Sequence, residues 1–319
     1  MKLVVLERNS VGTDIDVSCF EKFGEVDYYP NTVAENTAER VKDADIVIAN
    51  KAPMNESTLK DAPNVKLICL FATGFDNVDL VYCKSRGIKV ANVVNYSTAA
   101  VVQHTLMLAL ALEEKLAFYD DYVKSGAYAN QDRFSNFDRA FGEFEGKTWG
   151  IVGMGNIGRR VAKVAQALGC KVIFYSASGK SSCTEYERVE LDELLKQSDI
   201  LSLHCPLSDR TRGLINKEAF SKMKKTAVLV NVARGPVVDT EALYEALTQG
   251  RIAAAGLDVL EKEPISKDNP LGKIKDSTKL IITPHMAWAS TEARERLVEE
   301  VGKNIQAFLD GEDRNAVNK

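Results

Sequence analysis

Three side chains have the types needed for proton transfer beside an anchored anion. They are Arg234 in Asn231-Val232-Ala233-Arg234-Gly235, Glu263 in the run Asp258 to Pro264, and His285 in Thr283-Pro284-His285-Met286-Ala287-Trp288. A guanidinium never deprotonates near neutral pH, and its planar fork matches a carboxylate. An imidazole, with a reference pKa of about 6.5, both gives and takes a proton. A nearby carboxylate favours imidazolium. Together they suit hydride transfer to a 2-keto acid: Arg234 holds the substrate carboxylate, His285 protonates the developing alkoxide, and Glu263 keeps His285 charged. Singly, each has an ordinary explanation as a surface cation, a loop carboxylate or a hydrogen-bonded histidine. Their shared placement at strand ends behind a nucleotide loop argues for the joint role.

That loop is Gly153-Met154-Gly155-Asn156-Ile157-Gly158, a G-x-G-x-x-G. Alone the pattern is weak, but here it follows an apolar strand, Trp149 to Val152, and opens a helix reaching about Leu168. Gly153 allows the tight turn, Gly155 lets a pyrophosphate approach the backbone, and Gly158 lets helix and strand pack closely. Asn156 and Ile157 sit in the first helical turn, where N–H groups and the helix dipole meet the phosphates. The acidic residue expected about 20 positions on, for the ribose 2′-OH, is absent. Ser176 occupies its place, with Ser178 and Lys180 following and no carboxylate before Glu185. A carboxylate there would repel a 2′-phosphate, whereas two serines and a lysine can hydrogen-bond it. NAD and NADP both remain open as the cofactor.

These groups need a scaffold that ends strands side by side. Apolar runs at Leu3 to Leu6, Asp45 to Ala49, Lys66 to Phe71 and Ile88 to Val93 read as buried strands, separated by stretches of crossover length. A second series begins at Thr148 to Val152. It continues at Lys171 to Tyr175, Ile200 to His204, Ala227 to Val232, Ile252 to Val259 and Leu280 to Thr283. Helical patterns lie between, including Ile157 to Leu168, Leu191 to Gln197 and Thr240 to Thr248. This βαβ rhythm predicts α/β parallel sheets with helices on both faces, and six strands complete a dinucleotide-binding sheet. Ser97 to Leu116 reads as a helix apolar all round, and therefore buried. The amphipathic stretch Thr291 to Leu309 is expected to return to the first domain. The predicted division is a discontinuous substrate domain, 1–98 with 287–319, and a nucleotide-binding domain, 99–286, with the site between them.

Composition narrows the partners. The 319 residues suffice for two domains. Lys and Arg number 41 against 45 Asp and Glu, a net charge of −4 without a basic block, which disfavours nucleic acid. No run approaches the roughly 18 apolar residues of a membrane helix, and the N-terminal residues lack the pattern of a secretory signal. Six scattered cysteines without a C-x-x-C pair fit a reduced cytoplasmic setting, and three dispersed histidines offer no metal cluster.

At these residues, and at Ala72-Thr73-Gly74-Phe75-Asp76-Asn77-Val78-Asp79 and the stretch from His204-Cys205-Pro206-Leu207 to Thr211, the chain resembles the D-isomer-specific 2-hydroxyacid dehydrogenase family. The resemblance covers nearly the whole length. It implies two Rossmann-like domains, the substrate domain smaller and flavodoxin-like, and makes Arg234, Glu263 and His285 a catalytic triad. It places Thr73 and Gly74 in the substrate loop and Asp258 near the nicotinamide. His204, Cys205, Pro206, Thr211, Val232 and Ala233 would belong to the cofactor cleft. Asn95-Tyr96-Ser97-Thr98 and His285-Met286-Ala287-Trp288 look most like the glycerate dehydrogenase (hydroxypyruvate reductase) members. Two departures stand out: Ser176 where many relatives have Asp, and Gln103, on the helix expected to be buried, where many have Glu. His104, inside that helix, reads as structural. The aromatic segment Tyr119 to Phe144 resembles the family's arm that packs across a second subunit, so a homodimer is expected. The alternatives are a nucleotide-sensing binding module on the same fold, or a related dehydrogenase for formate, phosphoglycerate or phosphite.

Overall fold

Runs of four consecutive buried apolar residues, such as Ile46-Val47-Ile48-Ala49 and Leu67-Ile68-Cys69-Leu70, are what a parallel strand covered on both faces requires. They form the centre of a five-stranded sheet in the computed structural model, which describes residues 1–318. Its strands are β1 (Lys2–Val5), β2 (Glu25–Tyr28), β3 (Ile46–Ala49), β4 (Leu67–Leu70) and β5 (Lys89–Ala91), all pairing parallel in the order β2-β1-β3-β4-β5. This is the flavodoxin-like strand order. Helices α1 (Ala34–Val41), α2 (Glu56–Leu59) and α3 (Leu80–Ser85) make the crossovers. β2 escapes sequence reading because Glu25-Val26-Asp27-Tyr28 is a half-exposed edge strand, too polar to stand out.

From Thr98 the chain builds a second unit, which ends at Ala287; the first unit comprises residues 1–97 and resumes at Trp288. The second unit opens with α4 (Thr98–Glu113) and α5 (Leu116–Lys124). It then runs through β6 (Thr148–Val152), α6 (Asn156–Ala167), β7 (Lys171–Tyr175), β8 (Glu187–Arg188), α7 (Leu191–Gln197) and β9 (Ile200–Leu203). α8 (Lys217–Lys222), β10 (Val228–Asn231), α9 (Thr240–Thr248), β11 (Ala254–Leu257) and β12 (Leu280–Ile282) complete it. The sheet has seven strands in the order β12-β11-β10-β9-β6-β7-β8, all parallel. The expected six strands thus become seven: β8, two exposed residues at the edge, carries no hydrophobic signal. Read from β8, the first six have the doubly wound 3-2-1-4-5-6 arrangement, and β12 is an addition. The strand order reverses between β6 and β9, the place where such sheets bind ligands.

Helix α4 differs from expectation. It stops at Glu113, Lys115 takes a left-handed φ of 54°, and α5 starts anew. Leu108 and Leu112 are buried beside Gly256 of β11, where any larger residue would meet the Leu108 side chain. Gln103, Met107 and Leu110 instead face outward, so the helix is not buried all round, and Gln103 replaces no buried charge. Helix α10 (Thr291–Leu309) belongs to the first unit and packs on β4. Beyond it, Val317 and Asn318 hydrogen-bond the edge of β5 (Val317 N to Val90 O at 2.9 Å, Val90 N to Asn318 Oδ1 at 3.0 Å), which covers an otherwise open strand.

The junction of β6 and α6 depends on one missing Cβ. A Cβ on Gly158 would lie 2.2 Å from the Gly153 carbonyl oxygen. Gly158→Ala is therefore expected to destabilise the protein by about 2 kcal/mol and lower Tm by about 6 °C. Calorimetry checks this; an unchanged Tm would mean the turn yields freely.

Candidate active site

The three chemistry-bearing side chains leave the carboxyl ends of adjacent strands. Arg234 follows β10, Glu263 lies in the loop after β11, and His285 follows β12. Asn231 shapes the first loop, accepting from Ala233 N and donating to Arg234 O, both at 3.0 Å. Arg234 Nη1 donates to the Ala233 carbonyl at 2.8 Å. Gly235 lets the next loop come close: a Cβ there would stand 1.9 Å from the Leu260 carbonyl. Within that loop Glu263 Oε1 accepts from Leu260 N at 2.8 Å, and Oε2 lies 2.6 Å from His285 Nδ1. His285 Nδ1 is thereby committed to Glu263, so of the two ring nitrogens Nε2 is the one that could exchange a proton with a ligand. Both side chains are one-third exposed, so the pair remains open to a ligand.

His285 adopts φ 53°, a left-handed conformation unusual for a side chain of this size. Its N–H donates to the carbonyls of Asp258 (2.9 Å) and Thr283 (3.0 Å). The Asp258 carboxylate, 1% exposed, accepts from Met286 N and Ala287 N, each at 2.8 Å, and from the Thr283 hydroxyl at 2.6 Å. Asp258 thus underpins the turn that carries His285. His104 Nε2 lies 2.8 Å from Thr283 Oγ1, and burial lowers the His104 pKa while Asp258 opposes the shift.

The glycine loop has the geometry a pyrophosphate requires. Gly153 has φ 95°, and a Cβ on it would press on the His204 carbonyl and Cys205 N at 2.9 Å. Gly155 caps α6 with nothing within 4 Å of where its Cβ would be, so a ligand can reach the backbone there. Asn156, Ile157 and Gly158 form the first turn of α6. Ser176 directly follows β7, buried, with its hydroxyl 3.5 Å from that of Ser178; Lys180 is exposed. Two further cations, unmarked by any sequence motif, hold this loop: Arg188 donates to Gly179 O at 3.0 Å and Arg159 to Ser182 Oγ at 3.2 Å.

Val232, Ala233 and Cys205 are buried at the ends of β10 and β9. Thr211 is nearly inaccessible and donates to Pro206 O at 2.8 Å, so it shapes the 206–211 turn. His204 Nε2 lies 3.0 Å from Ser202 Oγ, which accepts from Trp149 Nε1 at 2.9 Å, while its buried Nδ1 has no partner among the described residues. In the first unit, the Thr73 hydroxyl donates to Val93 O and the Thr73 carbonyl accepts from Asn92, both at 2.7 Å. This fixes the loop carrying Thr73 and Gly74. Glu7, which sequence reasoning missed, accepts from the N–H groups of Asn50, Lys51 and Ala52 at 2.6–3.1 Å and ties down the loop after β3. Among the described residues, no three His, Cys, Asp or Glu side chains are grouped to hold a metal, and no helix is long and apolar enough to cross a membrane.

The family model for the NAD-binding domain of D-isomer specific 2-hydroxyacid dehydrogenases matches residues 106–287. The chain belongs to this family. It is 41% identical over 326 residues to a hydroxypyruvate reductase of Blautia hydrogenotrophica, covering all of both chains. Its fold is similar to an acyclic imino acid reductase solved with NADPH and D-Arg (TM-score 0.88, 30% identity, 99% of this chain and 100% of that one). It is also similar to the D-lactate dehydrogenase of Aquifex aeolicus solved with NAD and lactic acid (TM-score 0.86, 32% identity, 100% of this chain and 99% of that one). The chain is an oxidoreductase that transfers hydride between a nicotinamide dinucleotide and a small 2-keto or 2-hydroxy acid.

Burial pushes the His204 pKa down from 6.5 to about 3. Below pH 6.5 the unfolded chain takes up a proton that the folded chain refuses, so His204 subtracts stability as pH falls, until about pH 3. Nitrogen-15 NMR of histidine-labelled protein at pH 5 is expected to show His204 neutral. Titration near pH 6.5 would overturn this.

Proposed function

We propose that the chain reduces hydroxypyruvate to D-glycerate, accepts glyoxylate as well, and uses NADPH in preference to NADH. The contact that carries the chemistry is the 2.6 Å pairing of His285 with Glu263. Full-length identity to a hydroxypyruvate reductase supports the substrate. Ser176 in place of a carboxylate, with Ser178, Lys180, Arg159 and Arg188 around the same loop, supports the cofactor.

In this reading residues 99–286 bind the nucleotide, while 1–98 and 287–319 form the substrate domain. Gly153, Gly155, Asn156, Ile157 and Gly158 hold the pyrophosphate; His204, Cys205, Pro206, Val232 and Ala233 line the remaining cleft. Thr211 and Asp258 act through the turns they fix. Arg234 grips the substrate carboxylate and polarises the keto oxygen, and Thr73 and Gly74 lie in the substrate loop of the first unit. A nicotinamide held by the cleft residues would supply the hydride. His285 passes its Nε2 proton to the C2 oxygen, and Glu263 holds the ring through Nδ1. Six free cysteines, five of them buried, suit a reducing cytoplasm.

The direct test follows absorbance loss of NADPH and NADH with hydroxypyruvate, glyoxylate, pyruvate and phenylpyruvate. Strongest turnover is expected with hydroxypyruvate and NADPH, and Ser176→Asp should shift the cofactor ratio toward NADH by about tenfold or more. Arg234→Ala should raise KM and lower kcat, whereas His285→Ala should mainly lower kcat, by about 10²-fold or more. Near wild-type turnover in His285→Ala would sink the proton-transfer role.

The quaternary proposal is a homodimer through the aromatic arm. Phe134, Phe137 and Phe141 are 90%, 74% and 56% exposed, a large apolar surface for one chain to leave in water. Light scattering should give twice the chain mass, and Phe134→Ser with Phe137→Ser should halve it. A wild-type monomer at micromolar concentration would refute the dimer.

A further inference from the structure

We propose that His104 is a positioning residue for His285, acting through the Thr283 hydroxyl and the Asp258 carboxylate. The proposal rests on the reading of His285 as the proton donor. It starts from the left-handed backbone of His285, a conformation unfavourable for a residue with a Cβ. Something must hold the turn there. The bonds that do so run almost entirely through Asp258: its carbonyl holds His285 N, and its two carboxylate oxygens hold Met286 N and Ala287 N.

A carboxylate buried this completely needs its acceptor sites filled by donors that cannot turn away. The two backbone N–H groups are fixed. The third donor, the Thr283 hydroxyl at 2.6 Å, is a free rotor unless its oxygen accepts a hydrogen bond from a defined direction. His104 supplies that bond. Its Nε2 lies 2.8 Å from Thr283 Oγ1 and 3.5 Å from Asp258 Oδ1, so the hydroxyl is its nearer partner and the carboxylate a longer electrostatic contact. The arrangement that satisfies all three groups has the proton on His104 Nε2, donated to Thr283, and the Thr283 proton donated to Asp258. A neutral imidazole is sufficient. Without it, the Thr283 hydroxyl can turn toward the Leu257 carbonyl 3.5 Å away, and Asp258 loses a donor.

His104 touches none of the three chemistry-bearing side chains in this network; it presents a single donor from the middle of α4. Its substitution should therefore loosen the His285 turn without altering the glycine loop. His104→Leu is expected to lower kcat by about ten- to a hundredfold, with the dissociation constant for the nicotinamide dinucleotide within about twofold of wild type. His104→Gln, whose amide nitrogen can take the place of imidazole Nε2, should recover most of the loss. Thr283→Val should match His104→Leu, and the double variant should be no worse than either single one, because all break the same chain of bonds.

Turnover is measured for these variants alongside His285→Ala, with cofactor binding by fluorescence titration. The chain has three histidines, so nitrogen-15 histidine spectra report separately on the Nδ1–H of His285, expected to broaden in His104→Leu and sharpen in His104→Gln. Additive losses in the double variant, equal losses in His104→Gln and His104→Leu, or wild-type kcat in His104→Leu would each overturn the proposal. If His285→Ala itself turns over normally, the reading beneath the proposal fails instead. Should His104→Leu not fold, comparison of His104→Gln, Thr283→Val and Thr283→Ser still decides: loss confined to Thr283→Val supports it, and wild-type kcat in Thr283→Val refutes it.

Discussion

The pairing of His285 with Glu263 joins loops from two neighbouring strands, and a contact of 2.6 Å across separate segments exists only if both strands are held in register. β11 and β12 supply that register, and two packing constraints carry it into the loops. Gly235 lets the Arg234 turn lie against the Leu260 backbone, setting the height of the Glu263 loop. Asp258 grips the backbone after His285, setting the position of the imidazole. His285, Glu263 and Arg234 thus follow the carboxyl ends of three parallel strands that run side by side.

Apart from His204 Nδ1, the polar groups buried beneath this surface named above follow one rule: each is satisfied by a neighbour fixed in place by the fold. Trp149 donates to Ser202, and Thr211 closes its own turn. Glu7 does the same in the first unit, using one carboxylate to gather three consecutive backbone N–H groups. Such carboxylates look like active-site acids in a sequence, yet their geometry makes them struts.

Much of this was legible in the sequence. The central strands were marked by continuous apolar runs, and the glycine loop by its position between strand and helix. Arg234, Glu263 and His285 stood out because their residue types match a known division of chemical labour. What could not be read were features that depend on neighbours distant in sequence. β2 and β8 are polar edges whose pairing alone defines them. The outward face of α4 is invisible in a helix whose residues are nearly all apolar. Gly235, Asn231 and Thr283 are small or polar residues whose importance lies in what they touch. The three donors that the Asp258 carboxylate gathers come from residues 25 to 29 positions away.

The three histidines occupy three grades of accessibility. One has a buried Nδ1 without a partner among the described residues, one is inside a hydrogen-bonded network, and one is a third exposed in its loop. A histidine-selective acylating reagent would therefore find one target more accessible than the others, and the amount of acyl group taken up in the fast phase would count accessible sites in a preparation. The same disposition makes His285 a natural handle: a probe attached there reports on the reactive loop, with the other two imidazoles silent behind it.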